Sequence, residues 1–389
     1  MSAVAADGGA ASLRSVSPNA ATGTAGAVVV SGYHLAHTAQ VVAVGADGKV
    51  AEPNDAGRQT GRCLELLDAV LKEAESGLDK IVKLHICVAK PEHIAEVQQV
   101  LSLRFSSGMK PAVTFVVSTP PHPDALVAMD AVGATEKTPT VAAAGLISSA
   151  ALKGQTTTAG IGILPAKGRA VYVAGQSAAG DLAEGTRRTL DSLRRTLEFL
   201  ALKPQHVVQL KAFMAPITQT AVVQTEIAKF FGTNMTPPIV FVEWTTQQSV
   251  EIELIATTGD QSFSVKDNLN FVTPHGMVPS PLYSRVAVLN HGPAIYVGGL
   301  HGAAGSDPNA QVREVFGSLE KLLREVDGNL RHLAKATYYV SDEKTSSELN
   351  ALRPGFLDPK RPPAASKAMV RGIAPGRTIT IDMIAAPIR

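Results

Sequence analysis

The chain has 389 residues, 45% hydrophobic and 18% charged, which is apolar material for two or three domains and excludes a disordered or collagen-like chain. Lys and Arg number 36 against 34 Asp and Glu, a formal charge of +2 that argues against a life on nucleic-acid phosphates. Only two cysteines occur, Cys63 and Cys87, which excludes a disulfide scaffold and a structural zinc site and suits a reducing compartment.

Residues 1–24 are rich in Ala, Ser and Gly and lack a basic start followed by an apolar block, so a mobile tail is expected rather than a secretory signal. An apolar strand, AVVVSG, then ends at Gly32. From Gly61 the segment GRCLELLDAVLKEAESGLDKIVKLHICV opens with Leu64, Leu67 and Leu71 at helical steps of three and four. Its end, Val82 to Ile86, alternates and predicts a strand with one face inward and one outward. A second helix is expected at residues 91–105, a strand opening at Pro111, and a closing strand, VAMDAV, around Asp130. Residues 136–163 read as a linker.

The same order then returns twice. The strand VYVAG ends at Gly175, and a second 28-residue block starts at Arg187, with Leu190, Leu193 and Leu197 in the helical stripe. A helix at 218–231, a strand from Pro237 and the closing strand VEIELIA follow. After a linker at 263–278 come IYVGG, ending at Gly299, and a third block from Arg313 with Phe316, Leu319 and Leu323. A helix at 343–352, a strand from Pro363 and ITIDMIA complete the third pass. The blocks, the stripe positions and the three prolines each recur at intervals of 126 residues, which marks a triplication. The repeats span residues 25–135, 164–262 and 279–389, each an α+β unit of domain size. No apolar stretch is long enough for a transmembrane helix, so no membrane partner is expected.

The order of features resembles the YjgF/RidA family, also called endoribonuclease L-PSP. The likeness is clearest in Val173-Ala174-Gly175-Gln176, Phe230-Phe231 and Val250-Glu251-Ile252-Glu253, with Pro281-Leu282-Tyr283-Ser284 added in the third repeat. The resemblance implies a chorismate-mutase-like fold that trimerises around a barrel-like core, with ligand clefts between neighbours. Three fused copies then imply a monomeric, single-chain pseudo-trimer in the cytoplasm. Fusion removes the association entropy of trimerisation and frees the three clefts to differ.

The family's activity is hydrolysis of enamines and imines, and the resemblance places its carboxylate-gripping arginine two residues after the strand proline. Here those positions hold Val113, Ile239 and Ala365, none of which can bind a carboxylate. The family's acidic residue survives only as Glu251, either a water-ordering group or a plain strand carboxylate; Ala128 and Thr380 stand in its place elsewhere. Glu253, Asp130 and Asp382 form a second acidic set, assigned to strand edges or contacts between repeats. Replacements for the arginine are Ser366 and Lys367, with Arg371 beyond them, and Tyr283 faces either a ligand or a backbone carbonyl. His34 and His301 each follow a turn glycine by two residues. Trp244 is assigned to a seam between repeats. No phosphate loop, metal motif or nucleophile elbow is present, so neither cofactor nor metal is expected. The reading is a small-molecule-binding protein that has lost the arginine-dependent deaminase chemistry. A divergent hydrolase with one working cleft is the alternative, and RNA cleavage ranks below both.

Overall fold

The computed structural model describes residues 10–45, 47–139, 144–258, 267–290 and 292–388. Residues 1–9 of the expected tail, and 140–143 and 263–266 of the expected linkers, lie outside them. The first pass of the chain contains β1 (Ser12–Asn19), β2 (Thr24–Ser31), β3 (His34–Thr38), β4 (Val41–Val42), α1 (Ala56–Glu73), β5 (Ile81–Val88), α2 (His93–Arg104), β6 (Ala112–Val117) and β7 (Val127–Thr135). The second contains β8 (Gly145–Ile147), β9 (Ile161–Leu164), β10 (Arg169–Gln176), α3 (Leu182–Phe199), β11 (Val207–Met214), α4 (Thr220–Phe231), β12 (Ile239–Glu243) and β13 (Val250–Thr258). The third contains β14 (Leu269–Val272), β15 (Val286–Leu289), β16 (Ala294–His301), α5 (Pro308–Arg324), β17 (Leu333–Val340), α6 (Glu343–Phe356), β18 (Ala364–Met369) and β19 (Ile379–Ala385).

Aspartates start the three long helices. Asp55 accepts the Arg58 N–H, Asp181 the Glu184 N–H, and Asp307 those of Asn309 and Ala310. These caps recur every 126 residues, and each helix therefore begins five residues ahead of the repeated block seen in the sequence. Every stripe residue, from Leu64 in α1 to Leu323 in α5, is buried in the core of its own repeat. Each such leucine contributes about 1.5–3 kcal/mol by leaving water. Helix α6 runs four residues past the expected end, because Pro354 falls in its last turn, where a lost hydrogen bond interrupts little.

The long central strands correct one expectation. Strand β5 is buried along its whole length, as is β17, and β11 is nearly so. The apolar residues Leu84 and Ile86, and their counterparts Leu210, Ala212, Ala336 and Tyr338, lie under the helices. The polar face, which the pattern assigns outward, turns instead to the middle of the molecule.

All three of the expected irregular segments also contain strands. Strand β1, within the expected tail, forms an antiparallel hairpin with β2; the expected linkers supply β8, the start of β9, and β14. The hairpins β1–β2, β8–β9 and β14–β15 are exchanged between repeats. Strand β9 pairs with β3 of the first repeat, β15 with β10 of the second, and β2 with β16 of the third. Each hairpin also touches the proline-led strand of its own repeat, through Ala25 N–H to Pro111 O, Ala159 N–H to Thr236 O, and Ser284 N–H to Pro363 O, at 2.8, 2.8 and 3.0 Å. Among the described residues the ladders form a 13-stranded and a 6-stranded sheet and no closed barrel is seen, because some of these joints are isolated bonds rather than ladders. A fourth apolar core, with Val82, Val208 and Ala334 among its members, draws on all three repeats.

Candidate functional site

Among the seams between repeats, the one joining the second and third carries an ionisable cluster. Gly175 near the end of β10 faces Ser366 on β18, and its N–H donates to the Ser366 hydroxyl at 3.1 Å. That hydroxyl donates to Glu253 Oε2 at 2.6 Å, and the other Glu253 oxygen receives Lys335 Nζ at 2.6 Å. Glu251, two residues earlier on β13, lies in the angle between Gly175 and Ser366. A Cβ built on Gly175 would fall 1.9 Å from Glu251 Oε1 and 2.7 Å from Ser366 Oγ, so only glycine permits this approach. Burial, and then the charge of Glu253, push the Glu251 carboxyl up to about 7; Ser366, Lys335 and Lys367 pull the other way.

Lys367 points to the α6 side of the same strand. Its ammonium donates to Ser346 Oγ at 2.7 Å, and burial followed by the Arg353 guanidinium lowers its pKa. The arrangement thus sets a carboxyl that changes charge near neutrality beside a fixed hydroxyl and within electrostatic reach of a lysine. A group of that kind can take up or release a proton from a bound molecule.

The seam brings together Glu251 and Ser366, with Lys367 at its edge, but leaves out Tyr283. The Tyr283 ring lies under the Arg285 guanidinium at 4.9 Å, and among the described residues it makes no hydrogen bond to the cluster. The three positions of the missing arginine are apolar core: Val113 on β6, Ile239 on β12 and Ala365 on β18 are 6%, 4% and 8% exposed. At the seam of first and second repeats, Gln40 fills the space, its amide donating to Phe241 O at 3.0 Å and accepting from Phe241 N–H at 3.1 Å. At the seam of third and first, Gly299 packs closely against Thr114 and Thr380, where an added Cβ would lie 3.1–3.4 Å from both.

The remaining candidates make other contacts. His34 Nδ1 accepts the Ala166 N–H at 3.0 Å, and Arg371 pairs with Glu243 at 3.1 Å. His301 is pushed down to about 4, by burial first and Arg377 second. Trp244 is buried with Phe213 and Tyr339 in a core shared across repeats, and both cysteines are buried thiols. Sequence reasoning missed the roles of Gly175, as the residue that admits Glu251, and of Lys335. The recurrence of Lys83, Gln209 and Lys335 at intervals of 126 was the available signal.

The family model described as endoribonuclease L-PSP matches residues 16–135, 163–258 and 275–387. Similar solved structures include YyfB from Yersinia pestis, a Rid-family protein of unknown function, with 25% identity over 31% of this chain and 98% of that one and a TM-score of 0.29. NMB1025, a YjgF-family member from Neisseria meningitidis, has 21% identity over 31% and 96%, with a TM-score of 0.24. RidA from an Antarctic Psychrobacter has 20% identity over 24% and 79%, with a TM-score of 0.23. No curated protein matches the chain.

Proposed function

Since this chain belongs to the endoribonuclease L-PSP family, also known as YjgF/RidA, we propose that it is a single-chain pseudo-trimer that binds a small molecule and has given up the arginine-dependent imine hydrolysis of its relatives. The observation that carries this reading is the burial of Val113, Ile239 and Ala365 in apolar cores where a carboxylate-binding arginine would stand. At the family position on each of the three strands there is thus no fork-shaped cation to orient a substrate carboxylate. The cyclic exchange of hairpins supports the pseudo-trimeric reading, because each repeat completes the sheet of another as subunits of a ring would. The ligand site is the seam of Glu251, Ser366 and Lys367. The buried, unpaired cysteines accord with a cytoplasmic setting, and the near-neutral charge gives RNA cleavage no support.

The test is ketoacid release from 2-aminoacrylate-type imines by the purified chain, beside an active family deaminase. The expected rate is that of the uncatalysed reaction. A second reading, a divergent hydrolase working at this one seam, draws on the Glu251 carboxyl poised at about 7 beside Ser366. Turnover that survives purification and drops at least tenfold in Glu251→Gln selects the hydrolase and ends the binding-only reading.

A further inference from the structure

The polar faces of the three central strands meet in the middle of the molecule. Lys83 and His85 of β5, Gln209 and Lys211 of β11, and Lys335 of β17 line a cavity of about 50 Å³ together with Asp130, Glu253 and Asp382. Most of these groups hold each other. Lys83 pairs with Asp382 at 3.1 Å, Lys335 with Glu253 at 2.6 Å, and His85 Nδ1 with Asp130 at 3.0 Å, while His85 Nε2 meets Tyr339 OH at 3.1 Å. The Gln209 amide donates to Thr38 O at 2.9 Å.

Two groups are left over. Lys211 makes no hydrogen bond or ion pair among the described residues, although Tyr339, Glu253, Asp130 and Asp382 act on it from nearby and keep it charged. His37 is 1% exposed and lines the same cavity; among the described residues neither ring nitrogen has a partner at full hydrogen-bond geometry, although the Gln209 side chain lies near enough to favour its protonated form. A buried His37 without a well-placed partner, beside a charged Lys211, costs more than filling the space with something polar.

We propose that this axial chamber is a binding site for small uncharged polar molecules, and that in the resting protein it holds water bridging Lys211, His37 and the surrounding carboxylates. The charge count decides the class of guest. Three lysines face three carboxylates in the wall, so an added ion of either sign would stand uncompensated in a poorly solvated place. The imidazoles do not alter the balance. Burial, chiefly, lowers the pKa of His85 and takes that of His37 down to about 4, so both are neutral; His85 is engaged by Asp130 and Tyr339, and His37 has a donor and an acceptor to offer. A water needs roughly 10–15 Å³ of such space and makes about three hydrogen bonds, so the chamber has room for about three to five. Among the described residues no group of His, Cys, Asp and Glu is arranged to hold a metal ion.

The test is a crystal structure of the unaltered chain at a resolution that shows ordered water, with a parallel bromide soak. Density within hydrogen-bond distance of Lys211 Nζ and of both His37 nitrogens, with no anomalous bromide peak there, is the expected result. A dry chamber overturns the proposal, and so does bromide seated on Lys211. Magnetic relaxation dispersion of water oxygen provides a solution count of long-lived waters, expected to fall by at least one in Lys211→Met and in His37→Phe. An unchanged count in either folded variant also overturns it, and the crystal result decides the matter should both variants fail to fold.

Discussion

Glu251 is where residue-scale physics and function meet most closely. Its carboxyl binds a proton more tightly in the folded chain than in the unfolded one, because folding buries it beside Glu253. The stability this contributes is fully present below the ordinary glutamate pKa and is lost as the pH rises through about 7. The span from 4.5 to about 7 corresponds to roughly 3 kcal/mol, an upper figure for a group still partly open to solvent. Thermal unfolding from pH 5 to 8 should therefore show the unaltered protein losing stability relative to Glu251→Gln, and parallel curves for the two would refute the assignment. Gly175→Ala should destabilise by about 1–3 kcal/mol through overpacking against Glu251. Combined with Glu251→Ala it should cost less than the sum of the single changes, since the clash is with that side chain. Additive denaturation free energies would show that the close approach is not what glycine provides. Ser366, Lys367 and the apolar residues in place of the arginine were all legible in the sequence. The contact of Ser366 with Glu253 was not, because it spans 113 residues and depends on how two strands from different repeats are set side by side.

At the scale of elements, the helices repeat more faithfully than the strands that surround them. Their stripes and their aspartate caps keep the 126-residue interval because each long helix is specified locally, by its own turn and its own buried face. Replacing Asp55, Asp181 or Asp307 by Ala should cost about 1 kcal/mol each, measured as a shift in urea midpoint at constant slope. Asp307 should be the most sensitive, since it satisfies two N–H groups. Strands depend on their neighbours. The alternation separated Leu84 and Ile86 from Lys83 and His85 correctly, missed the irregularity that turns Val82 to the central side, and assigned the polar face to solvent, whereas Lys83 and His85 are 6% and 3% exposed. Periodicity separates polar from apolar but is silent on what the polar side meets.

For the whole molecule, the exchange of hairpins makes a prediction that sequence order does not. Removing residues 1–31 deletes the first hairpin, yet the strand left bare is β16 in the third repeat. Hydrogen exchange should therefore accelerate at β16 more than at β10, and loss of protection confined to the first repeat would contradict the pairing. The ion pairs bind the repeats in the same sense, Lys83 of the first to Asp382 of the third and Lys335 of the third to Glu253 of the second. Lys335→Met should cost about 3–5 kcal/mol by leaving Glu253 buried without its partner. Replacing Lys335 and Glu253 together by apolar residues should recover much of that loss.

The sequence by itself determined the triplication, the α+β order of each repeat, the buried helix stripes and the absence of the family's arginine from all three strands. Each of these is written in spacing or in the identity of single residues. Only the tertiary structure decided that the hairpins change places, that Glu251 is set beside Ser366 at the seam of second and third repeats, and that the polar strand faces meet around an inner cavity. Those outcomes join groups up to 299 residues apart, as the Lys83–Asp382 pair does. Local patterning shows that a face must be covered, and the geometry of closure selects what covers it.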